Sequence, residues 1–154
     1  VGVEPDILTA AKGIANGLPL GTTLVNDWIA EDAGDHGSTF SGGPVVCAAA
    51  NATLDTVVDE DVPGNAAQVG EYLRGELEAA VEAHDLPVRE IRGVGLMIGI
   101  EVKRGANRVL KNLALQEQVL ALPAGRTVVR LLPPLTIDEA HADQFVDSFV
   151  EVLG

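Results

Sequence analysis

A change of hydrophobic periodicity near Pro87 constrains the fold of this chain more than any other feature. Upstream, an apolar residue recurs at every fourth position, at Val69, Leu73, Leu77 and Val81. This spacing, with acidic residues between, predicts a helix that carries one apolar stripe. Downstream, short apolar runs separated by turn residues are typical of strands. The chain therefore combines amphipathic helices with a sheet that can cover their apolar faces.

The remaining elements follow from the same patterns. Residues 1–24 predict short strands and tight turns, and helices are predicted at residues 27–33 with Asp27 as N-cap, 45–58, 65–83 and 107–118. Pro63 and Gly64 are expected to separate the two long helices. Strands are predicted at residues 88–91, 96–102, 119–122 and 127–132, with a turn at 92–95. A capping box of Thr136 and Glu139 opens a final helix with Phe145, Phe149 and Val152 inward. This order predicts an α/β or α+β architecture.

Composition excludes several classes of protein. The chain has 154 residues, and 47% of them are apolar, which is enough to form a buried core. Charges and glycines interrupt every apolar run before the roughly 18 residues that a membrane span needs, and no signal or transit pattern opens the chain. The net charge of −13 opposes binding to nucleic acid. We expect a cytoplasmic protein whose partners include neither a membrane nor a nucleic acid.

The charge balance also indicates the solvent in which the protein works. The sequence has 23 acidic side chains against 10 basic ones, and its three lysines are Lys12, Lys103 and Lys111. Salt screens the self-repulsion of such an acidic surface. We therefore expect a halophilic host.

Histidine and cysteine predict neither a metal site nor a disulfide. His36, His84 and His141 lie far apart in the sequence, so no cluster of ligands is expected. Cys47 is the single cysteine, which excludes a disulfide within the chain. Its place beside three alanines of a predicted helix predicts a small buried side chain.

Lys12 is the first candidate catalytic residue. It stands in the apolar, glycine-rich segment at residues 5–21, where a charged side chain needs a partner or a function. A free amine there is available as a nucleophile or a base, and its neighbours Ala11 and Gly13 leave space for a planar cofactor. The alternative is a lysine that reaches solvent from a turn.

Two further candidates are anion-binding. The loop at residues 36–39, which includes Ser38 and Thr39, offers hydroxyl and backbone N–H groups ahead of a helix and suits a phosphate. An ordinary polar turn is the alternative. Arg130 interrupts an apolar strand and needs an anion, either a substrate carboxylate or an acidic side chain in a structural salt bridge.

Four segments in this order resemble landmarks of the class III (ornithine-type) pyridoxal-phosphate aminotransferases. They are PDILTAAKGIANGLPLG, HGSTFSGGPVVCAAA, RGVGLMIGIEV and VLALPAGRTVVRLLPPLTI. The final segment most resembles the acetylornithine branch, and within it the enzymes that act on lysine or ornithine precursors held on a small acidic amino-group carrier protein. Arg104, Arg108 and Lys111 form a candidate basic patch for such a carrier, and a solvated turn and helix face is the alternative.

The resemblance implies a role for each candidate residue. It places the lysine that binds pyridoxal 5'-phosphate covalently at Lys12. It places a phosphate-binding threonine at Thr39, which in this family reaches the cofactor of the neighbouring subunit in a homodimer. Ser38 matches a position near the substrate, and Arg130 matches the arginine that binds the substrate α-carboxylate. The family usually has an asparagine directly before Pro44, and this chain lacks it.

The resemblance also implies the architecture of the whole enzyme. This chain matches the C-terminal portion, less than half, of a fold-type I aminotransferase. Residues 1–64 correspond to the end of the large cofactor domain, and residues 65–154 to a linking helix and the small α+β C-terminal domain. The acidic and glycine-rich motifs of the family's earlier part have no counterpart in residues 1–154, so we expect this portion alone to be inactive.

The implied function is transfer of an amino group between glutamate or 2-oxoglutarate and an acetylornithine-type or carrier-linked semialdehyde, in arginine or lysine biosynthesis. Another class III reaction would keep Lys12 and Thr39, for example 4-aminobutyrate or ornithine transamination or glutamate-semialdehyde aminomutation. A non-catalytic α/β interaction module would make Lys12 incidental, and an interrupted gene would leave an inactive remnant.

Overall fold

A computed structural model describes residues 2–29, 37 and 39–154. The chain divides into two units, Val1–Glu60 and Asp61–Gly154. The units differ sharply in how much apolar side chain each one buries.

The first unit contains a two-stranded ribbon and a long helix. Its elements are β1 (Ile7–Ala10), a 3₁₀ helix (Lys12–Ala15), β2 (Thr22–Val25), a second 3₁₀ helix (Asp27–Ile29) and α1 (Pro44–Asp59). β1 and β2 are antiparallel, with Ile7 opposite Val25 and Ala10 opposite Thr22. Helix α1 begins at Pro44, whose fixed φ suits a first turn, and its extent agrees with the prediction.

Few side chains of the first unit are buried. Among its described residues the buried apolar side chains are Ala15 and Ala50. On the ribbon, Ile7 and Leu24 are 54% and 56% exposed. Cys47 is half-buried rather than buried as predicted, because it borders an open apolar cavity of about 410 Å³. A two-stranded ribbon with this little burial gains little stability of its own.

The prediction that Asp27 caps a helix is wrong. Asn26 precedes the 3₁₀ helix, and its carbonyl accepts a hydrogen bond from Ile29 N at 2.9 Å, so Asp27 lies inside the turn. The rest of that predicted helix, residues 30–33, lies outside the described residues.

The second unit is an antiparallel sheet with one face covered by helices. Its elements are α2 (Val62–His84), β3 (Val88–Val94), β4 (Met97–Val102), α3 (Ala106–Gln116), β5 (Leu122–Ala124), β6 (Val128–Leu131) and α4 (Glu139–Leu153). The strand order is β3-β4-β6-β5, and every neighbouring pair is antiparallel.

The apolar core lies between this sheet and the helices. Leu73 and Leu77 of the predicted stripe on α2 are buried, and Phe149 of α4 is fully buried with its ring centroid 5.7 Å from that of Phe145. On β4, Ile98 and Ile100 are fully buried. The residues that alternate with them lie on the opposite face of the sheet and are only partly covered.

A close backbone approach fixes α2 against the β3–β4 hairpin. A Cβ atom added to Gly70 would lie 2.2 Å from the carbonyl oxygen of Gly95. Gly95 itself has a φ of +53° and opens the two-residue turn that joins Val94 to Met97, where a tight hairpin favours glycine. The predicted turn at residues 92–95 is therefore wrong, because pairing continues to Val94.

The predicted start of α2 and the predicted strand at residues 119–122 also differ, each because of a single local contact. Pro63 and Gly64 belong to the first turn of α2, because the Asp61 carboxylate accepts a hydrogen bond from Gly64 N and starts the helix early. Residues 119–121 are not a strand, because Val119 N donates to Leu113 O at 3.0 Å and closes the end of α3.

The capping box of the last helix is also displaced from its predicted place. The N-cap of α4 is Asp138, whose carboxylate accepts from His141 N at 3.1 Å. Thr136 lies upstream, where Ile137 N donates to Pro134 O in a turn at 3.3 Å.

Candidate active site

Lys12 occupies a strained backbone position. It begins the 3₁₀ helix directly after β1, with a φ of +58°. This left-handed conformation costs a residue with a side chain roughly 1–3 kcal/mol. It persists because hydrogen bonds on either side hold the turn, from Ile14 N to Ala11 O and from Asn16 N to Gly13 O. Strain of this kind concentrates at functional sites.

The surroundings of Lys12 are more open than its sequence indicates. The side chain is exposed within the described part of the chain, as are Ala11 and Gly13. A Cβ atom added to Gly13 would meet no atom within 4 Å. Gly13 therefore leaves free space beside the Lys12 backbone.

The structure describes only part of the second candidate segment, residues 36–39. Ser38 and His36 lie outside the described residues. Thr39 is exposed in a turn at residues 39–42 that precedes α1, and the adjacent Phe40 is 93% exposed. Thr39 and Lys12 both belong to the first unit.

Arg130 lies in the second unit, on the open face of the sheet. In β6 it stands opposite Gly99 of β4 on one side and Leu122 of β5 on the other. The Nε atom of Arg130 is buried and has no hydrogen-bond partner among the described residues. Leaving such an atom unpaired costs about 1–3 kcal/mol. An acceptor placed beside this Nε would therefore be stabilising.

Arg92 and Arg130 differ in the partners that the described residues give them. Arg92 lies on the same face, beyond Gly99, and pairs with Glu90 at 2.6 Å and with Glu101 at 3.3 Å. Arg130 takes part in none of the ion pairs formed within residues 2–29 and 39–154.

Sequence reasoning missed Gly99 as part of this site. Gly99 places no side chain of its own between Arg92 and Arg130, and the Val128 side chain lies over it, 3.3 Å from where a Cβ would be. The sequence Ile98-Gly99-Ile100 could have indicated it. Side chains alternate between the faces of a strand, so two isoleucines in the core place Gly99 on the opposite face.

In the described ranges no three His, Cys, Asp or Glu side chains are grouped so that they could hold a metal ion. None of the helices in those ranges is long and apolar enough to cross a membrane.

Comparison with known proteins matches residues 1–153 to the family model "Aminotransferase class-III". The chain is 43% identical to the acetylornithine aminotransferase of Methanothermobacter thermautotrophicus, across 99% of this chain and 38% of that protein. It is also 43% identical to a putative [LysW]-aminoadipate semialdehyde/glutamate semialdehyde transaminase of Aeropyrum pernix, across 95% of this chain and 38% of that one. The chain thus spans about 38% of the length of these curated relatives.

A solved structure agrees with the sequence matches. An amine transaminase from an uncultivated Pseudomonas species, in its PLP-bound form, superposes with a TM-score of 0.86 at 38% identity, covering 99% of this chain and 39% of that one. The predicted fold class, part of a mixed α/β aminotransferase fold, is confirmed. The chain belongs to the class III aminotransferase family.

Proposed function

We propose that this chain supplies the cofactor-binding lysine and the substrate-binding arginine of a pyridoxal-phosphate-dependent aminotransferase. The observation that carries the proposal is the left-handed backbone of Lys12, whose side chain is exposed rather than packed in the first unit. The unpaired Nε of Arg130 supports it independently from the second unit.

Lys12 fits the cofactor in chemistry and in space. Its exposed Nζ, with glycine beside it, would bind the cofactor covalently. Pyridoxal phosphate, when bound, supplies an electron sink for the carbon that gains or loses the amino group. The free Lys12 Nζ would be the base that removes a proton from the donor carbon, and its conjugate acid would supply a proton to the acceptor carbon in the second half of the reaction.

The loop before α1 would bind the phosphate. We assign Thr39 to phosphate binding and Ser38 to the vicinity of the substrate, in line with the family motif. Thr39 would reach the cofactor of a second subunit, so we propose a homodimer.

Arg130 would bind the substrate carboxylate. A guanidinium fork pairs with a carboxylate through two hydrogen bonds, and the unpaired Nε is one of the donors available to it. On the neighbouring strand, Gly99 stands opposite Arg130 and carries no side chain that could compete for the guanidinium.

The names of the relatives support the choice of substrate. We propose that glutamate is the amino donor and that the acceptor is an acetylornithine-type or carrier-linked semialdehyde, in arginine or lysine biosynthesis. We further propose that residues 1–64 end the large cofactor domain, that residues 65–154 form the linking helix and small domain, and that the enzyme works in a salt-rich cytoplasm.

Borohydride reduction tests the role of Lys12. The chain is incubated with pyridoxal phosphate, reduced, digested and mapped by mass spectrometry. We expect the added mass at Lys12 in excess over Lys103 and Lys111, which serve as internal controls, and its loss in Lys12→Ala. Equal labelling of the three lysines would contradict the proposal and favour the non-catalytic module.

The match to an amine transaminase keeps a second substrate class open. A panel of N-acetylornithine, ornithine, 4-aminobutyrate and simple amines, assayed on the intact enzyme, separates the two. Preference for an amine without a carboxylate would remove the role proposed for Arg130.

A further inference from the structure

Five charged side chains share the open face of the sheet in the second unit. They are Arg89, Glu90, Arg92, Glu101 and Arg130. Arg89 reaches this face because the register of β3 against β4 shifts between Val88 and Glu90, and a bulge of this kind re-aims a side chain. Three arginines and two glutamates leave one positive charge in excess on the face.

Glu101 is placed to reach an arginine on either neighbouring strand. Gly99, two residues before it on β4, stands opposite Arg92 of β3 and Arg130 of β6. Glu101 is therefore a diagonal neighbour of both arginines, at about 7–8 Å along the sheet, which long side chains can span. In the described ranges its carboxylate pairs only with β3, with Arg92 at 3.3 Å and Arg89 at 3.5 Å. The excess positive charge consequently remains at Arg130, whose buried Nε has no hydrogen-bond partner among the described residues.

Val128 lies across the path from Glu101 to Arg130. It stands opposite Glu101 on β6, and its Cγ1 is 3.3 Å from the place that a Cβ of Gly99 would take. The Val128 side chain thus leans along the diagonal towards Gly99. On the grid of the sheet this diagonal crosses the one that joins Glu101 to Arg130. An apolar side chain therefore separates the carboxylate from the guanidinium that it does not pair with.

We propose that Arg89 and Arg92 are positioning residues, which hold Glu101 on the β3 side of the sheet and so keep the Arg130 guanidinium available for the substrate carboxylate. This inference rests on the proposed function, in which Arg130 binds that carboxylate. A carboxylate fixed on the same sheet has a high effective concentration, so a released Glu101 would compete with the substrate for one guanidinium fork. Glu90 is held in the same way, because it accepts a hydrogen bond from Arg92 at 2.6 Å.

Two double variants separate the release of Glu101 from a simple loss of charge. The releasing variant, Arg89→Gln with Arg92→Gln, removes both partners of the Glu101 carboxylate. The control variant, Arg74→Gln with Arg126→Gln, removes the same charge from α2 and from the turn after β5. Urea unfolding of the chain is measured for each variant with and without a further substitution at the substrate-binding position.

The effect of Arg130→Met on the urea midpoint reports the pairing. In the unmodified chain and in the control variant we expect the midpoint to rise, because a buried, unpaired Nε is removed. In the releasing variant we expect it to fall, because the same change now breaks an ion pair with Glu101. Adding Glu101→Gln to the releasing variant should restore the rise. An equal rise in the releasing and control variants would overturn the proposal, and so would a fall that persists after Glu101→Gln.

Steady-state kinetics of the intact enzyme test the consequence for the substrate. The releasing variant should raise KM for glutamate by about three- to tenfold and change kcat by no more than about twofold. Adding Glu101→Gln should return KM to its original value, which would not happen if the two arginines were merely structural. The control variant should leave both constants within about twofold of their original values.

The two measurements distinguish a failure of this inference from a failure of the proposed function. If the effect of Arg130→Met reverses in urea while KM for glutamate stays unchanged, Glu101 reaches a guanidinium that the substrate does not use. That result would overturn the role of Arg130 in the proposed function, and this inference with it. The absence of a reversal in urea, in contrast, overturns this inference and leaves the proposed function standing.

Discussion

Tyr72 on α2 donates a hydrogen bond to Asp143 on α4, with 2.7 Å between Oη and Oδ1. The bond joins two helices that cover the core of the second unit. Ionisation of the phenol would break this bond and place a second negative charge beside the carboxylate. The hydrogen bond to Asp143 therefore raises the pKa of Tyr72 to about 12.

Tyr72 is the only tyrosine in the sequence, so its titration can be followed directly by ultraviolet absorbance. We expect a midpoint near 12 that falls towards 10.0 in Asp143→Ala. Because the folded pKa is the higher one, the stabilisation is complete below pH 10 and is lost as the pH rises through 12. A midpoint near 10 in the unmodified chain would show that the bond does not form.

Asp138 and Thr136 form a matched pair for testing the cap of α4. Asp138→Ala should lower the melting temperature because it removes the acceptor of His141 N, whereas Thr136→Ala should leave it nearly unchanged. The hydrogen bonds from the His141 side chain and backbone hold the pKa of Asp138 below its ordinary value of 3.8. The Asp138 contribution is thus present above pH 3.8 and disappears as the pH falls through the lowered pKa. If Thr136→Ala lowered the melting temperature more than Asp138→Ala, the result would support Thr136 as the cap, as predicted from the sequence.

Two glycines of α2 should respond oppositely to alanine. Gly70→Ala places a methyl group against Gly95 O and should lower the free energy of unfolding by about 1–3 kcal/mol. Gly75 is exposed and has no atom within 4 Å of an added Cβ. Gly75→Ala should raise the free energy of unfolding by about 0.5–1 kcal/mol, because alanine is the better helix former. Urea unfolding measures the free energy of unfolding of both variants. Equal changes in the two would contradict the contact between α2 and the hairpin.

Replacing Arg130 should raise the stability of the chain and lower the activity of the intact enzyme. Arg130→Met removes a buried, unpaired Nε and should raise the free energy of unfolding by about 1 kcal/mol. In the intact enzyme the same change should lower kcat/KM for a carboxylate substrate by roughly 10- to 100-fold.

Arg92→Met is the control for Arg130, because Arg92 is exposed on the same face and already has carboxylate partners. It should lower stability by no more than about 1 kcal/mol. A stability loss in Arg130→Met as large as that in Arg92→Met would mean that Arg130 has a structural partner.

The sequence predicted the long helices and the sheet well because their signals are periodic. The stripe through Leu73 and Leu77 and the run around Ile98 lie on opposite sides of one core. Helix ends were predicted less well, because single contacts decide them. The Asp61 carboxylate caps α2, so the helix begins before Pro63, and Asp138 rather than Thr136 caps α4. Neither cap can be predicted from hydrophobic periodicity.

The candidate site was predictable in its residue types but not in its geometry. Composition made Lys12 conspicuous, yet its positive φ depends on the turn around it. Among the described residues Arg130 has no acidic partner, because pairing brings Gly99 beside it while Glu101 pairs with Arg92 instead. Such neighbours are set by strand register, which the sequence specifies only through long-range pairing.

The unequal burial of the two units implies a hierarchy of local openings. Amide hydrogens of β4 and α2, inside the core of the second unit, should exchange with solvent only when that unit unfolds as a whole. Those of the β1–β2 ribbon should exchange through small fluctuations, because little apolar surface is exposed when the ribbon opens. One denaturation curve would then describe the second unit alone, and the first unit would follow its own equilibrium.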